Sequence, residues 1–360
     1  VAKGTVPNGF SSMGLQTHNP HDLVRGPSGS SGGTGAAIAA GFAQFGLGTD
    51  TGGSVRGPSS ANGIVPLALT FDTGGPMARS VYDVAVTLGA MTGVDAADAA
   101  TSKSAGKFET DYTKYLKTGS LKGARIGIAR DFLGRDPGTD AVVEKAIATL
   151  KTLGAEVVDP VAYPFFLLQS RQGIYNQLVA SEFKAQITDY LHTLKPGFPK
   201  SFDEVVAKAN DPATKYRSPE KAVALKYTQS IALDLDDPVY LAIKNQALAA
   251  SKAGVDALFT KYRLDAIVYP TSPRPATYID PAKTRGLPAD SPTNIANATG
   301  YPDLIVPAGM TPEGLPVTIS FFGQAFTEAK LLGYGYDFEQ ATHAIRTPKT
   351  TPVLAGETFK

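Results

Sequence analysis

The chain has 360 residues, 42% of them hydrophobic, so it can enclose a large core as one α/β domain or two smaller ones. Lys and Arg total 34 against 33 Asp and Glu, with no basic cluster, which removes the electrostatic argument for nucleic acid or a membrane surface. There is no cysteine, hence no disulfide scaffold or thiol nucleophile, and no stretch approaches the roughly 20 apolar residues of a membrane span.

Residues 1–29 are polar and rich in Gly and Pro, and read as a loop leading into a site. The small-residue run from Thr34 to Phe45 predicts a tightly packed buried helix, FGLGT a short strand, and DTGGS the turn that ends it. Ser80 and Asp83 form a capping-box pattern ahead of one apolar helix face made by Val81, Val84, Ala85 and Leu88. ARIGIA (124–129) reads as a buried strand. Thr139 is the expected cap of a helix carrying Val142, Val143, Ala146, Ile147, Leu150 and Leu153, which Gly154 stops before the strand AEVV (155–158). Strand, helix and strand in that order predict parallel winding. The same grammar returns at 242–269, and again from LIVPAG through VTISFFG to a helix over 328–344. Residues 163–235 read as mostly helical and aromatic. The fold class expected is α/β: a three-layer α/β/α arrangement with a central mixed, largely parallel sheet and a helical insertion at 163–235.

The chemistry concentrates between Gly26 and Arg79, where two Gly/Ser-rich turns, GSSGG and TGGS, are separated by one helix and one strand. Glycine admits positive φ and lets another backbone or a substrate approach closely. A serine after paired glycines at a strand end can expose its hydroxyl, and the amides of Thr51, Gly52, Gly53 and Ser54 could converge on a developing oxyanion. A linker or helix-entry turn is the bland alternative for GSSGG. A phosphate cradle is another, although GPSGSSGGTG lacks the Lys-Ser/Thr ending of a P-loop.

Taken in order, GPSGSSGGTG, the Ala-rich helix, GTDTGGSVR and GPMAR closely resemble the signature of the amidase signature family. The resemblance extends more weakly through DAIVYPTSP and YPDLIVPAG to GLPVTISFFG. It implies Ser54 as nucleophile and Ser30 as proton relay, held by a cis Gly29–Ser30 peptide. Thr51, Gly52 and Gly53 are the expected oxyanion hole of the TGGS turn, with Ser31, Thr49, Asp50 and Arg56 around them. It implies no metal and no organic cofactor. The family's base is a lysine kept neutral by burial, because a serine hydroxyl needs a neighbouring base.

Two departures bear on that expectation. The family's lysine precedes the paired-serine turn, but the sole lysine before Ser30 is Lys3, which aligns with a non-catalytic position, and the next is Lys103. The segment after Gly63 is also shorter than the family pattern. The base is therefore expected on an N-terminal segment missing from a chain that starts at Val1 rather than Met, and the domain expected over 1–360 lacks its N-terminal part.

His18 and His21 precede Ser30 but have no third member of a triad, so a structural role is expected, as for His192 and His343. Asp50 with Arg56 reads as support for the TGGS turn ahead of substrate contact. Phe166 and Tyr175 stand equally for core or substrate pocket. The activity expected is hydrolysis of linear carboxamide C–N bonds through an acyl-enzyme on Ser54. The alternatives are a catalytically inactive member with a binding or structural role, and one subunit of an amidotransferase. The partner expected is a small-molecule amide, with no nucleic acid and no membrane span; a homodimer stays open. The cytoplasm is the expected compartment, with periplasm or secretion left open by the incomplete N-terminus.

Overall fold

Phe10–Ser11 (β1) and Leu15–Gln16 (β2) form a small antiparallel hairpin ahead of the first helix, α1, at Gly32–Ala39. The structure is a computed structural model that describes residues 8–11, 13–68, 72–216, 218–283 and 292–351. Helix α1 is shorter than the small-residue run suggests. It stops before Gly41, whose φ of +80° turns the chain out of the helix and leaves Phe42 exposed.

Strand β3 (Phe45–Asp50) leads into α2 (Arg56–Asn62), then β4 (Val65–Ala68), β5 (Thr73–Ala78) and α3 (Val81–Met91). Ser80 caps α3 as expected: its hydroxyl accepts the Asp83 N–H at 3.0 Å and donates to the Asp83 carboxylate at 2.7 Å. Strand β6 (Arg125–Ala129), α4 (Pro137–Thr152) and β7 (Glu156–Val161) follow the strand-helix-strand expectation. The cap of α4 differs. Asp136, not Thr139, accepts the orphan N–H, that of Thr139 at 2.7 Å, because Pro137 already occupies the first helical position.

The 163–235 stretch is helical, with α5 at Phe165–His192, α6 at Phe202–Asn210 and α7 at Pro219–Ile231. Helix α8 (Pro238–Ala242) continues through a π turn at Ile243–Ala247 into α9 (Leu248–Tyr262), which feeds β8 (Ala266–Pro270). The chain closes with α10 (Asn294–Thr299), β9 (Asp303–Met310), β10 (Pro316–Phe322) and α11 (Glu328–Thr342).

Among the described residues, eight strands form the sheet β3-β5-β4-β9-β10-β8-β6-β7. Helices cover both faces, which gives the three layers. Alternation along β8 makes this explicit: Ala266 and Val268 join the core beneath α3, α4 and α11, whereas Ile267 and Tyr269 join the core beneath α5, α9 and α10. The sheet is mixed, but its parallel share is smaller than expected. Pairs β8–β6 and β6–β7 are parallel, while β3–β5, β5–β4, β4–β9, β9–β10 and β10–β8 are antiparallel. The reason lies in the connections. A crossover helix such as α4 returns the chain parallel, whereas the tight turn closed by Thr311 N–H to Leu315 C=O makes β9–β10 a hairpin. At the end of the sheet, Phe45 and Leu47 of β3 stay exposed beside Val86 and Met91 of α3, and these residues line a groove of about 380 Å³. No helix among the described residues is long and apolar enough to cross a membrane.

Glu339 of α11 ties that helix to α3, accepting the Val81 N–H at 2.9 Å. Burial pushes its carboxyl up to about 7, and the nearby Asp83 charge adds to this against the opposing Val81 bond. A carboxyl raised on folding favours the folded state while protonated, so its contribution fades as pH rises from the ordinary Glu range through about 7. Glu339→Gln is expected to flatten the fall in melting temperature over that window, measured by thermal melts across pH. An unchanged slope would refute the assignment.

Candidate active site

The chain leaves β3 at Asp50 and enters α2 at Arg56, so Thr51–Val55 must reverse direction within one short turn. Gly53 makes this feasible. Its φ is +118°, and a Cβ there would lie 2.2 Å from Thr293 Oγ1. Gly52 is equally crowded, since a Cβ would lie 2.4 Å from the Tyr175 ring, so α5 rests this aromatic directly on the turn.

The two Gly/Ser turns lie side by side. The Ser31 N–H donates to the Ser54 carbonyl at 3.0 Å, and the Ser31 hydroxyl donates to the Thr49 carbonyl and accepts its N–H, both at 3.2 Å. These bonds fasten the start of α1 to the end of β3. The Gly29–Ser30 peptide is cis, as the resemblance implies. Among the described residues, neither the Ser30 nor the Ser54 hydroxyl has a hydrogen-bond partner, and no lysine bonds to either. Lys3 lies outside the described residues.

Beneath the turn sits a wholly buried ion cluster. Asp50 accepts the N–H groups of Gly53 (2.7 Å), Val55 (3.0 Å) and Arg56 (3.2 Å), as well as Arg56 Nε (3.1 Å) and Nη2 (3.0 Å). Arg56 Nη1 donates to Asp303 Oδ2 at 2.8 Å, and the Tyr269 hydroxyl donates to the same oxygen at 2.8 Å. Asn297 of α10 completes it, donating to Asp50 at 3.0 Å and accepting from Arg56 at 2.5 Å. Burial alone would raise the Asp50 carboxyl. The Arg56 charge and the bonds from Arg56, Asn297 and Val55 outweigh it and hold the group well below the ordinary carboxylate range. Burial and the Asp303 charge push the Tyr269 hydroxyl well above its usual value. The Asp50–Arg56 pair thus supports the turn from inside, as the sequence suggests. Asp303, Asn297, Tyr269 and Thr293 were not anticipated. The available signal was an aspartate opening the otherwise apolar strand DLIVPAG, just after the asparagine-bearing NIANATG.

Three expectations need correction or placement. The Gly53 N–H donates to the buried Asp50, so this amide is already engaged and unsuited to the oxyanion role expected of it from the sequence. Of the two aromatics, Tyr175 lies on the turn, but Phe166 packs against Gly254 of α9 and is half exposed. The two are nine residues apart on α5, about 13 Å along the helix axis. The histidines are anchored elsewhere: His18 Nδ1 faces the Leu23 carbonyl at 2.5 Å and His21 Nε2 the Asn62 carbonyl at 3.1 Å, and burial lowers the His21 pKa.

The fold and this pair of turns define a three-layer α/β/α protein with a serine at the mouth of a strand-to-helix turn. The family model described as Amidase matches residues 3–332, and the chain belongs to that family. It is 34% identical over 348 residues to the A subunit of glutamyl-tRNA(Gln) amidotransferase from Caldanaerobacter subterraneus subsp. tengcongensis, covering 90% of this chain and 69% of that one. A probable amidase of Arabidopsis thaliana is 30% identical over 364 residues, covering 96% of this chain and 66% of the plant protein. Among solved structures, native peptide amidase from Stenotrophomonas maltophilia superposes with a TM-score of 0.85 at 33% identity, covering 97% of this chain and 73% of that one.

Arg56 is flanked by two buried carboxylates, so removing its charge strands both. Arg56→Met is expected to lower unfolding stability by about 3–5 kcal/mol in denaturant titrations. Because the Asp50 carboxyl is depressed on folding, its contribution is present above the ordinary aspartate range and lost as pH falls below about 4. Asp50→Asn should therefore lose part of the wild-type acid sensitivity. An Arg56→Met protein as stable as wild type would contradict this account.

Proposed function

We propose that the chain is an amidase that hydrolyses linear carboxamide C–N bonds through an acyl-enzyme on Ser54. The observation that carries this reading is the Ser31 N–H to Ser54 carbonyl bond, which sets the two serine turns side by side in a chain of the Amidase family. The Ser54 Oγ attacks the amide carbon and gives its proton to Ser30, and the carbonyl oxygen becomes an oxyanion facing the amides of Thr51 and Gly52. Collapse breaks the C–N bond as the proton passes to the leaving nitrogen. Water then attacks the acyl ester, the C–Oγ bond breaks to release the carboxylic acid, and a proton from the water returns through Ser30 to the Ser54 oxygen. The relay requires a proton acceptor behind Ser30, a neutral lysine in the chemistry that the family resemblance implies. Tyr175, resting on Gly52, borders the acyl side of the site.

The likeness to one chain of a glutamyl-tRNA(Gln) amidotransferase supports a second reading, in which the same Ser54 chemistry releases ammonia for a partner. The two differ in dependence on other chains. An amidase turns over simple amides alone, whereas the amidotransferase component would act on glutamine and be stimulated by its partners.

A fluorophosphonate probe applied to the natural gene product is expected to add one label at Ser54, located by peptide mass spectrometry. Ser54→Ala should abolish amine or ammonia release from an amide panel, and Ser30→Ala should lower kcat far more than it raises KM. Labelling at another serine would overturn the assignment. Tyr175→Ala should change the ranking of small against bulky amides; equal losses on every amide would assign Tyr175 to the core instead.

A further inference from the structure

We infer that Thr293 is a positioning residue for the nucleophile turn, an inference that rests on Ser54 being the nucleophile. Thr293 stands at the N-cap of α10, where a threonine side chain ordinarily accepts an N–H of its own helix. Here it does not cap α10. Its hydroxyl instead donates at 3.0 Å to the carbonyl of Gly52, 241 residues away in sequence, and the residue is 2% exposed.

The bond matters because of what lies on the other edge of the same peptide unit. The Gly52 carbonyl and the Gly53 N–H share one rigid plane. Thr293 holds the carbonyl edge, and Asp50 holds the N–H edge at 2.7 Å. Two anchors on opposite edges fix the rotation of that plane, and with it ψ of Gly52 and φ of Gly53. No side chain at these two positions restrains them, since both are glycine. The next residue is Ser54. The orientation of its hydroxyl relative to the Thr51 and Gly52 amides therefore depends on an anchor contributed by α10.

The same helix grips neighbouring parts of the site. Asn297 bonds Asp50 and Arg56, and the Asn294 amide reaches Gln172 of α5 at 3.3 Å. Thr293 differs from these in touching the turn backbone itself. Its loss should act on the reaction step rather than on substrate affinity.

The test compares Thr293→Val, which keeps the shape and loses the donor, with Thr293→Ser, which keeps the donor, in the natural gene product. Thr293→Val is expected to slow fluorophosphonate labelling of Ser54 and to lower kcat by roughly tenfold to a hundredfold with KM little changed. Thr293→Ser should restore both to near wild type. Wild-type labelling rates in Thr293→Val, or equal losses in Val and Ser, would overturn the inference while leaving the amidase reading intact. Absence of Ser54 labelling in the wild type would overturn the amidase reading and this inference with it. Should Thr293→Val melt too low to assay, Thr293→Ala, read at a temperature where it is folded, takes its place.

Discussion

Everything at the site depends on one arginine with no access to water. Arg56 lies between Asp50 and Asp303, wholly buried, and also donates to Asn297, while the Tyr269 hydroxyl donates to the Asp303 oxygen that Arg56 engages. A buried charge without partners would be very unfavourable. With partners in place, the cluster does something a hydrophobic core could not. It bonds, through fixed directional contacts, the end of β3, the start of α2, the start of β9 and the middle of α10. Those are the pieces that must meet for the Thr51–Val55 turn to exist.

The cluster divides the turn into an inner and an outer side. Asp50 takes the N–H groups of Gly53, Val55 and Arg56, so the inner backbone is fully engaged by a carboxylate held ionised. Away from Asp50, the Ser54 carbonyl meets the Ser30–Ser31 turn through the Ser31 N–H. Tyr175 and Thr293 approach Gly52 and Gly53 closely. A turn so heavily bonded moves little, which is the physical basis for electrostatic preorganisation: donors already oriented need no rearrangement when charge develops.

The helices α5 and α10 bring distant sequence to the Thr51–Val55 turn. Tyr175 reaches Gly52 from α5, and the Asn294–Gln172 bond couples α5 to α10 beside it. The long helix thus contributes at one point and packs elsewhere. Phe166 packs on α9, and Ile174 and Leu178 join a separate apolar cluster with Tyr240. Which aromatic of the insertion meets the Thr51–Val55 turn is set by helical phase and axial position, not by aromatic content.

Much of this protein was legible in its sequence because the relevant rules are local. Paired glycines beside serine mark tight turns, apolar spacing marks α3, α4 and α11, and the order β6–α4–β7 dictates parallel winding. The motif order from Gly26 to Arg79 carried most of the family resemblance, since both serine turns lie within that short stretch. The rest was decided by contacts between segments far apart in the chain. Strand β5, TGGPMA, has a poor strand composition and forms because β3 and β4 pair with it on either side. The β9–β10 hairpin follows from its tight turn, but the antiparallel pairs β4–β9 and β10–β8 join strands separated by long connections, which no local pattern encodes. Asp303, Asn297 and Thr293 are ordinary polar residues in sequence, and only the fold gives them their partners, more than two hundred residues away at Asp50, Gly52 and Arg56. Local chemistry determined which turn carries the serine. Tertiary packing determined which buried charges and which distant hydroxyl hold that turn in place, because an ion pair or a hydrogen bond depends on distance in space and not on distance along the chain.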